Sequence, residues 1–153
     1  MTIEDDIAFF EKVPMLGLLG RAALRIIAIG AESRTVHEGE VLFYAGDHAD
    51  SAFVIQEGSF ELRPERAETD VAIARRGTLL GELAMMTPTV RPATATALEP
   101  STVIRISRGL FLKMLEGYPE AARRLRDAMA ARTDNWTHEL QNVREAGERK
   151  DAT

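Results

Sequence analysis

One glutamate and one arginine lie nine positions apart in a stretch of small residues, and together they could bind an anion that carries hydroxyl groups. The stretch runs from Gly81 to Thr96 and contains Glu82 and Arg91. Glycine and alanine let the backbone approach a ligand closely, and a short helical turn beginning near Leu83 would direct N–H groups at an anion. A guanidinium suits phosphate oxygens, and a carboxylate can accept hydrogen bonds from hydroxyls of the same ligand. The pair therefore predicts a sugar phosphate site.

Composition and spacing argue against catalysis and metal binding. The 153 residues include no cysteine, which excludes disulfides, zinc–thiolate sites and cysteine nucleophiles. The histidines, His37, His48 and His138, lack the close His-x-His spacing that a metal site in a β-roll would need. No Ser-His-Asp arrangement and no pair of carboxylates at a catalytic spacing is identifiable. We therefore expect no enzyme and no metal, and keep a cupin-like metalloenzyme only as a third alternative.

Charge and hydropathy point away from nucleic acid and membrane. The net charge of -5 and the pI near 5.3 disfavour a phosphate-tracking surface, which would cluster Lys and Arg. The N-terminus carries Glu4, Asp5 and Asp6 where a signal peptide would be positive, and no apolar run approaches membrane-spanning length. We expect one cytoplasmic domain over residues 1–145 and a frayed polar tail over 146–153.

The elements that must position the pair begin with helices and continue as strands. Thr2 and Asp5 form a capping-box pattern that predicts a first helix ending before Pro14, and a second helix is predicted over about 21–31. From Arg34 the apolar period becomes strand-like. Turn residues then occur at Gly39, Gly46, Gly58, Gly77 and Pro88. Short strands separated by such turns predict a sandwich, barrel or jelly roll.

Three turns within this β region have specific interpretations. Glu57-Gly58 is predicted to make a tight hairpin turn, and residues 64–70 an exposed hairpin loop. The last two strands, 93–98 and 102–106, are predicted to be joined at Glu99-Pro100. The β region should end after the second of these strands.

Two helices are predicted after the strands. Ser107 caps a short one that ends at Gly117, and Pro119 opens a long one that extends to about Glu145. The predicted fold class is α+β: an antiparallel, jelly-roll-like β-roll of about eight strands, flanked by N-terminal helices and two C-terminal helices.

This order of elements, together with two motifs, resembles the cyclic nucleotide-binding domain family. The first motif runs from Gly39 to Gly58, GEVLFYAGDHADSAFVIQEG, and the second from Gly81 to Thr96, which is similar to the family's phosphate-binding cassette. The likeness covers about residues 7–145. It is nearly free of gaps against the sensor half of catabolite activator type regulators, whose DNA-binding half is absent from this sequence.

The resemblance implies a ligand with one cyclic phosphodiester, a ribose 2′-hydroxyl and a purine. Arg91 matches the family's phosphate arginine and Glu82 its acceptor for the 2′-hydroxyl. Gly81, Leu83 and Ala84 match the turn whose backbone N–H groups face the phosphate and the ribose. No metal cofactor is implied.

Pro92 departs from the family pattern. Many relatives carry Ala, Ser or Thr at this position and use its N–H, and sometimes a hydroxyl, on the ligand. Proline has neither, which predicts a loss of about one to two decades in affinity and favours cAMP over cGMP. Ala93 completes the expected ligand-binding set. By the same resemblance Trp136 and Thr137 would lie nearest the base, but the preferred interpretation of Trp136 is a packing or dimer-interface residue.

The resulting hypothesis is a stand-alone, non-enzymatic cyclic-nucleotide receptor. It would signal by repacking its C-terminal helices, either to an unknown protein partner or within a homodimer formed through the helix over 119–145. No DNA or membrane partner is expected. The alternative, motivated by Pro92, is a degenerate interaction or dimerisation module of the same fold that binds no nucleotide.

Overall fold

Helices lie at both ends of the described chain, and strands fill the middle. The structure is a computed structural model that describes residues 2–66 and 71–131. The helices are α1 (Ile3–Glu11), α2 (Arg21–Gly30), α3 (Arg108–Gly117) and α4 (119–131), with 3₁₀ helices at Leu16–Leu18 and Glu82–Met85. The strands are β1 (Glu32–Val36), β2 (Val41–Phe43), β3 (His48–Ala49), β4 (Ser51–Glu57), β5 (Ser59–Pro64), β6 (Ala72–Arg75), β7 (Leu79–Leu80), β8 (Thr89–Val90), β9 (Ala93–Ala97) and β10 (Ser101–Ser107). The α+β class is confirmed, with ten strands in the described residues where the sequence predicts about eight.

Local capping residues set two of the helix starts. The hydroxyl of Thr2 accepts a hydrogen bond from the Asp5 N–H at 3.2 Å, and the Asp5 carboxylate accepts one from the Thr2 N–H at 3.1 Å. The Ser107 hydroxyl accepts a hydrogen bond from the Leu110 N–H at 3.1 Å. Both caps confirm the sequence prediction, because each depends only on residues three positions apart.

Two four-stranded antiparallel sheets form the β-roll. Their strand orders are β1-β10-β4-β7 and β2-β9-β5-β6, and β3 pairs separately with β8. One buried apolar cluster draws on both sheets, with Phe53 and Val103 from the first and Phe60 and Ala95 from the second. The two sheets therefore enclose a common core.

The helices cover the other face of the first sheet. Val54 and Ile104 alternate with the residues of the inter-sheet core, and they pack with Phe10 of α1, Ile27 of α2 and Phe111 of α3. Helices α1, α2 and α3 thus pack on the sheet that contains β4 and β7.

The predicted hairpin at Glu57-Gly58 is wrong. β4 belongs to the first sheet and β5 to the second, so the turn is a corner between sheets. Gly58 has a φ of 91°, and a Cβ atom there would lie 2.0 Å from Oγ of Ser101. β9 and β10 cross between the sheets in the same way, beside β5 and β4 respectively. Turn residues reveal where the chain changes direction, whereas the choice of strand partners depends on distant residues.

The hairpin predicted around residues 64–70 is confirmed, since β5 pairs with β6 and Leu62 faces Ala72. Residues 67–70 themselves lie outside the described chain. The continuation of the last helix to 145 and the tail over 146–153 also lie outside the described residues.

Candidate functional site

The first half of the stretch that the sequence singles out is a tight turn. The chain leaves β7 and reaches Gly81, whose φ is 80°, and the 3₁₀ helix starts at the next residue. The Ala84 N–H donates to the Gly81 carbonyl at 3.0 Å, which is the first hydrogen bond inside this turn. Ala84 and Met85 are buried and anchor the turn to the core, while the Leu83 side chain is 53% exposed. The helical turn predicted from the sequence is confirmed and begins at Glu82.

The second half of the stretch fixes the backbone of Arg91. β8 pairs with β3, with Val90 opposite His48. The Arg91 N–H then donates to the Asp47 carbonyl at 2.8 Å, and the Arg91 carbonyl accepts from the Gly46 N–H at 2.8 Å. The arginine backbone is therefore held on both sides, independently of the residue that follows it.

The Arg91 side chain is buried, with 5% of the residue exposed. Its Nη2 lies 3.3 Å from Oγ of Ser51, and its Cζ lies 4.5 Å from the ring centroid of Phe43 and 5.4 Å from that of Phe53. Among the described residues, Nη1 of Arg91 is the one buried side-chain nitrogen or oxygen without a hydrogen-bond partner. A buried donor of this kind costs free energy unless an acceptor reaches it.

Burial also acts on the charge of Arg91. Desolvation lowers the pKa of its guanidinium, and the nearby Asp50 carboxylate opposes that change. Arg105 lowers the pKa further, and Asp47 raises it. Arginine remains protonated in proteins, so the site keeps a buried positive charge.

Gly81 and Arg91 are in direct contact across the turn. A Cβ atom built on Gly81 would lie 2.5 Å from Nη1 of the arginine. Glycine is thus required twice, for the positive φ and for the close approach of the guanidinium.

A cavity of about 310 Å³ lies beside this contact. It is lined by Ala49, Gly81, Glu82, Leu83, Ala84, Thr89, Val90, Arg91 and Pro92. Six of the seven residues predicted from this stretch therefore meet at one cavity. The seventh, Ala93, starts β9 opposite Pro64 and is not part of the lining. Trp136 and Thr137 lie outside the described residues.

Sequence reasoning missed Ala49, Thr89 and Val90. They reach the cavity because β3 pairs with β8, with Ala49 opposite Thr89. Nothing local in the sequence indicates this pairing, since each strand has only two residues. Phe43, Phe53 and Ser51 around the guanidinium were missed for the same reason.

The described residues contain no group of three histidine, aspartate or glutamate side chains placed to hold a metal ion. No helix within residues 2–66 and 71–131 has the length and apolar character needed to cross a membrane.

Residues 33–118, more than half of the chain, match the family model of the cyclic nucleotide-binding domain. The chain belongs to the cyclic nucleotide-binding domain family. The matched range contains the turn, Arg91 and both motifs on which the resemblance was based. The family and fold expected from the sequence are therefore confirmed.

Two solved structures and one curated protein illustrate the likeness. A cyclic nucleotide-binding-like protein from Brucella abortus bv. 1 str. 9-941 is 34% identical, with a TM-score of 0.65, over 73% of this chain and 98% of that chain. The N-terminal domain of a transcriptional regulator from Streptomyces coelicolor A3(2) is 25% identical, with a TM-score of 0.78, over 86% of this chain and 94% of that chain. The cAMP-dependent protein kinase regulatory subunit of Emericella nidulans is 30% identical over 108 residues, which are 71% of this chain and 26% of that protein.

The chain spans less than a third of the length of the curated relatives it matches. These relatives include NTE family proteins, a lysophospholipase and kinase regulatory subunits. The match therefore identifies the cyclic nucleotide-binding domain and not the output of a whole protein.

Proposed function

We propose that this chain is a regulatory module, without catalysis of its own, that binds a cyclic nucleotide in the cavity beside Arg91. The observation that carries the proposal is the buried Nη1 of Arg91, which has no hydrogen-bond partner among the described residues. An anion entering the cavity would supply the missing acceptor and offset the buried charge. The absence of a side chain at Gly81 lets Nη1 lie at this position, and the cavity of about 310 Å³ that Arg91 lines offers space for such a ligand.

Arg91 and three residues of the turn have separate roles in this proposal. Arg91 binds the phosphate, and Glu82 accepts a hydrogen bond from the ribose 2′-hydroxyl. The Leu83 N–H precedes the first hydrogen bond inside the turn, so it can face the ligand. The Ala84 N–H already donates to the Gly81 carbonyl, so any contact from it would be shared.

Pro92 supports cAMP over cGMP as the ligand. It lines the cavity and is exposed, and it offers neither an N–H nor a hydroxyl. The hydroxyl that some family members use to select guanine is thus missing. We keep Trp136 and Thr137 as proposed base contacts from the part of the chain that is not described.

A direct connection to α3 supports signalling through the C-terminal helices. Arg108, the first residue of α3, donates from Nε to the Ala84 carbonyl at 3.0 Å and from Nη2 to the Ala49 carbonyl at 2.6 Å. Its backbone N–H donates to the Asp50 carbonyl at 2.8 Å. Ala49 and Ala84 line the cavity, so a ligand that shifts either backbone segment also displaces the start of α3.

The position of α4 supports the same route. A second cavity of about 270 Å³ is lined by Glu82 together with Met15, Leu18, Leu125 and Met129. Glu82 thus lies between the ligand cavity and the apolar face of α4. We propose that ligand binding repacks α3 and α4, and that the signal passes to a protein partner or within a homodimer through 119–145. Such a response requires tighter binding to one helix arrangement than to the other.

The second candidate is a degenerate module of the same fold that binds no nucleotide. The missing N–H at Pro92, which lines the cavity, favours it. Titration of the whole chain with cAMP and with cGMP, followed by Trp136 emission and by calorimetry, separates the two. Saturable binding supports the receptor, and no response by either method up to millimolar nucleotide selects the degenerate module.

A further inference from the structure

Two phenylalanine rings surround the guanidinium of Arg91. Phe43 comes from β2 in the second sheet and Phe53 from β4 in the first. The rings are stacked with their centroids 5.9 Å apart and an interplanar angle of 29°. Cζ of Arg91 lies over both, at 4.5 Å from Phe43 and 5.4 Å from Phe53. Each of the two sheets thus contributes one aromatic ring that contacts the Arg91 guanidinium.

An aromatic ring and a carboxylate interact with different parts of a guanidinium. Within the described residues, no carboxylate makes an ion pair or a hydrogen bond with Arg91, whose side chain bonds only the Ser51 hydroxyl. A carboxylate would occupy the N–H groups that a phosphate needs, and the ligand would then have to displace it. A ring attracts the cation through its face and leaves the N–H edge open. Nη1 is the buried nitrogen on that edge that has no hydrogen-bond partner among the described residues.

The two rings are not equivalent. Phe53 also lies under Arg34, whose Cζ is 5.6 Å from its centroid. Phe43 is the nearer ring to Arg91, and within the described residues Arg91 is the one cation over it. Phe43 does not line the ligand cavity. Phe43 is therefore not placed to contact a ligand in the cavity, and its direct contact with the site is the one with Arg91.

We propose that Phe43 is a positioning residue for phosphate binding, whose ring holds the Arg91 guanidinium ready in the ligand-free chain. This inference rests on the proposed function. A held guanidinium loses less side-chain freedom when the ligand arrives, so its hydrogen bonds contribute more to affinity. Ser51 assists by accepting from Nη2, and the absence of a side chain at Gly81 lets Nη1 lie close to the turn.

Phe60 provides a matched control for the packing role of Phe43. Phe60 is fully buried in the core between the sheets, and Phe43 is partly buried and packs against the same core. No cation lies over Phe60 among the described residues. A Phe60→Leu variant therefore reports what loss of a core ring does without loss of a cation–π contact.

The test compares the full chain with Phe43→Leu, Phe43→Tyr and Phe60→Leu variants. Calorimetry with cAMP should show a loss of about tenfold in affinity for Phe43→Leu. Phe43→Tyr should stay within about threefold of the unmodified chain, because the tyrosine face is retained. Phe60→Leu should lower the melting temperature and leave cAMP affinity unchanged.

A measurement on the ligand-free chain keeps the inference separate from the proposed function. In the unmodified chain and in Phe43→Tyr, the Arg91 Nε–H resonance should be sharp and its chemical shift displaced by ring currents. In Phe43→Leu the chemical shift should be averaged over several side-chain conformations. Equal losses of cAMP affinity in Phe43→Leu and Phe60→Leu, or an unaltered resonance in Phe43→Leu, would overturn the positioning role alone. Failure of the unmodified chain to bind any cyclic nucleotide would overturn the proposed function, and this inference with it.

Discussion

Gly81 and Arg91 are packed so closely that a single methyl group between them would displace the guanidinium. A Cβ atom on Gly81 would lie 2.5 Å from Nη1 of Arg91 and 3.4 Å from the backbone oxygen of Ser51. The position of the guanidinium therefore depends on the absence of a side chain at Gly81.

Gly81→Ala should weaken cAMP binding much more than it weakens the fold. The substitution places a side chain at a φ of 80° and pushes the guanidinium away from the cavity. Gly39→Ala is the matched control, because Gly39 has a φ of 82° and no heavy atom within 4 Å of its Cβ position. Both variants should lose about 1–2 kcal/mol in free energy of unfolding from the backbone alone. Calorimetry should show reduced affinity only for Gly81→Ala, and equal affinities in the two variants would refute the contact.

Pro92→Ala should raise cAMP affinity by about ten- to a hundredfold. Alanine restores one N–H, and a hydrogen bond to a charged group contributes about 1.5–3 kcal/mol. Proline also restrains the preceding residue, but Arg91 is already held by its hydrogen bonds to Asp47 and Gly46. The loss of that restraint should therefore cost little. A fall in affinity on calorimetry would contradict this prediction. It would mean that Pro92 itself favours ligand binding.

Arg108→Leu should separate ligand binding from the response of the C-terminal helices. The variant loses the hydrogen bonds from α3 to the Ala84 and Ala49 carbonyls and leaves Arg91 in place. Hydrogen exchange with and without cAMP should show protection of the cavity turn in the variant, and a reduced change in α3 compared with the unmodified chain.

Arg76→Leu is the control for this experiment. Nε of Arg76 donates to the Gln56 carbonyl at 3.1 Å, and its Cζ lies 4.9 Å from the Phe9 ring centroid, so it too joins two elements through a backbone oxygen. Arg76→Leu should lower stability and keep the α3 response. If Arg108→Leu also keeps the full response, the signal follows another path.

Features that depend on neighbouring residues were predictable from the sequence, and features that depend on distant residues were not. The caps at Thr2 and Ser107 and the turn at Gly81 were predicted because each depends on neighbours a few positions away. Strand partners are not predictable in this way. The turn residues at Gly58 therefore predict a hairpin, whereas in the structure Gly58 turns the corner between two sheets. The sequence contains the turn signal at Gly58, but the contact that explains it, Ser101, is far along the chain.

The surroundings of Arg91 show the same division. The sequence identifies the arginine from its spacing to Glu82, because both residues lie in one short stretch. It does not indicate that Phe43 and Phe53 hold the side chain, since these rings come from strands of different sheets. It likewise does not indicate Arg108, which reaches the turn from the start of α3. The positions of Glu82 and Arg91 in one stretch were thus predictable, and the residues that contact the Arg91 side chain from other strands were not.

The most direct test of the receptor proposal is calorimetry of cAMP with the unmodified chain and with Arg91→Leu. Arg91 is buried with one unpaired donor, so leucine removes a desolvated charge and should leave the fold intact by circular dichroism and melting temperature. The account predicts saturable binding to the unmodified chain and loss of most affinity in Arg91→Leu. Equal binding to both proteins, or no binding to the unmodified chain at millimolar cAMP, would contradict it.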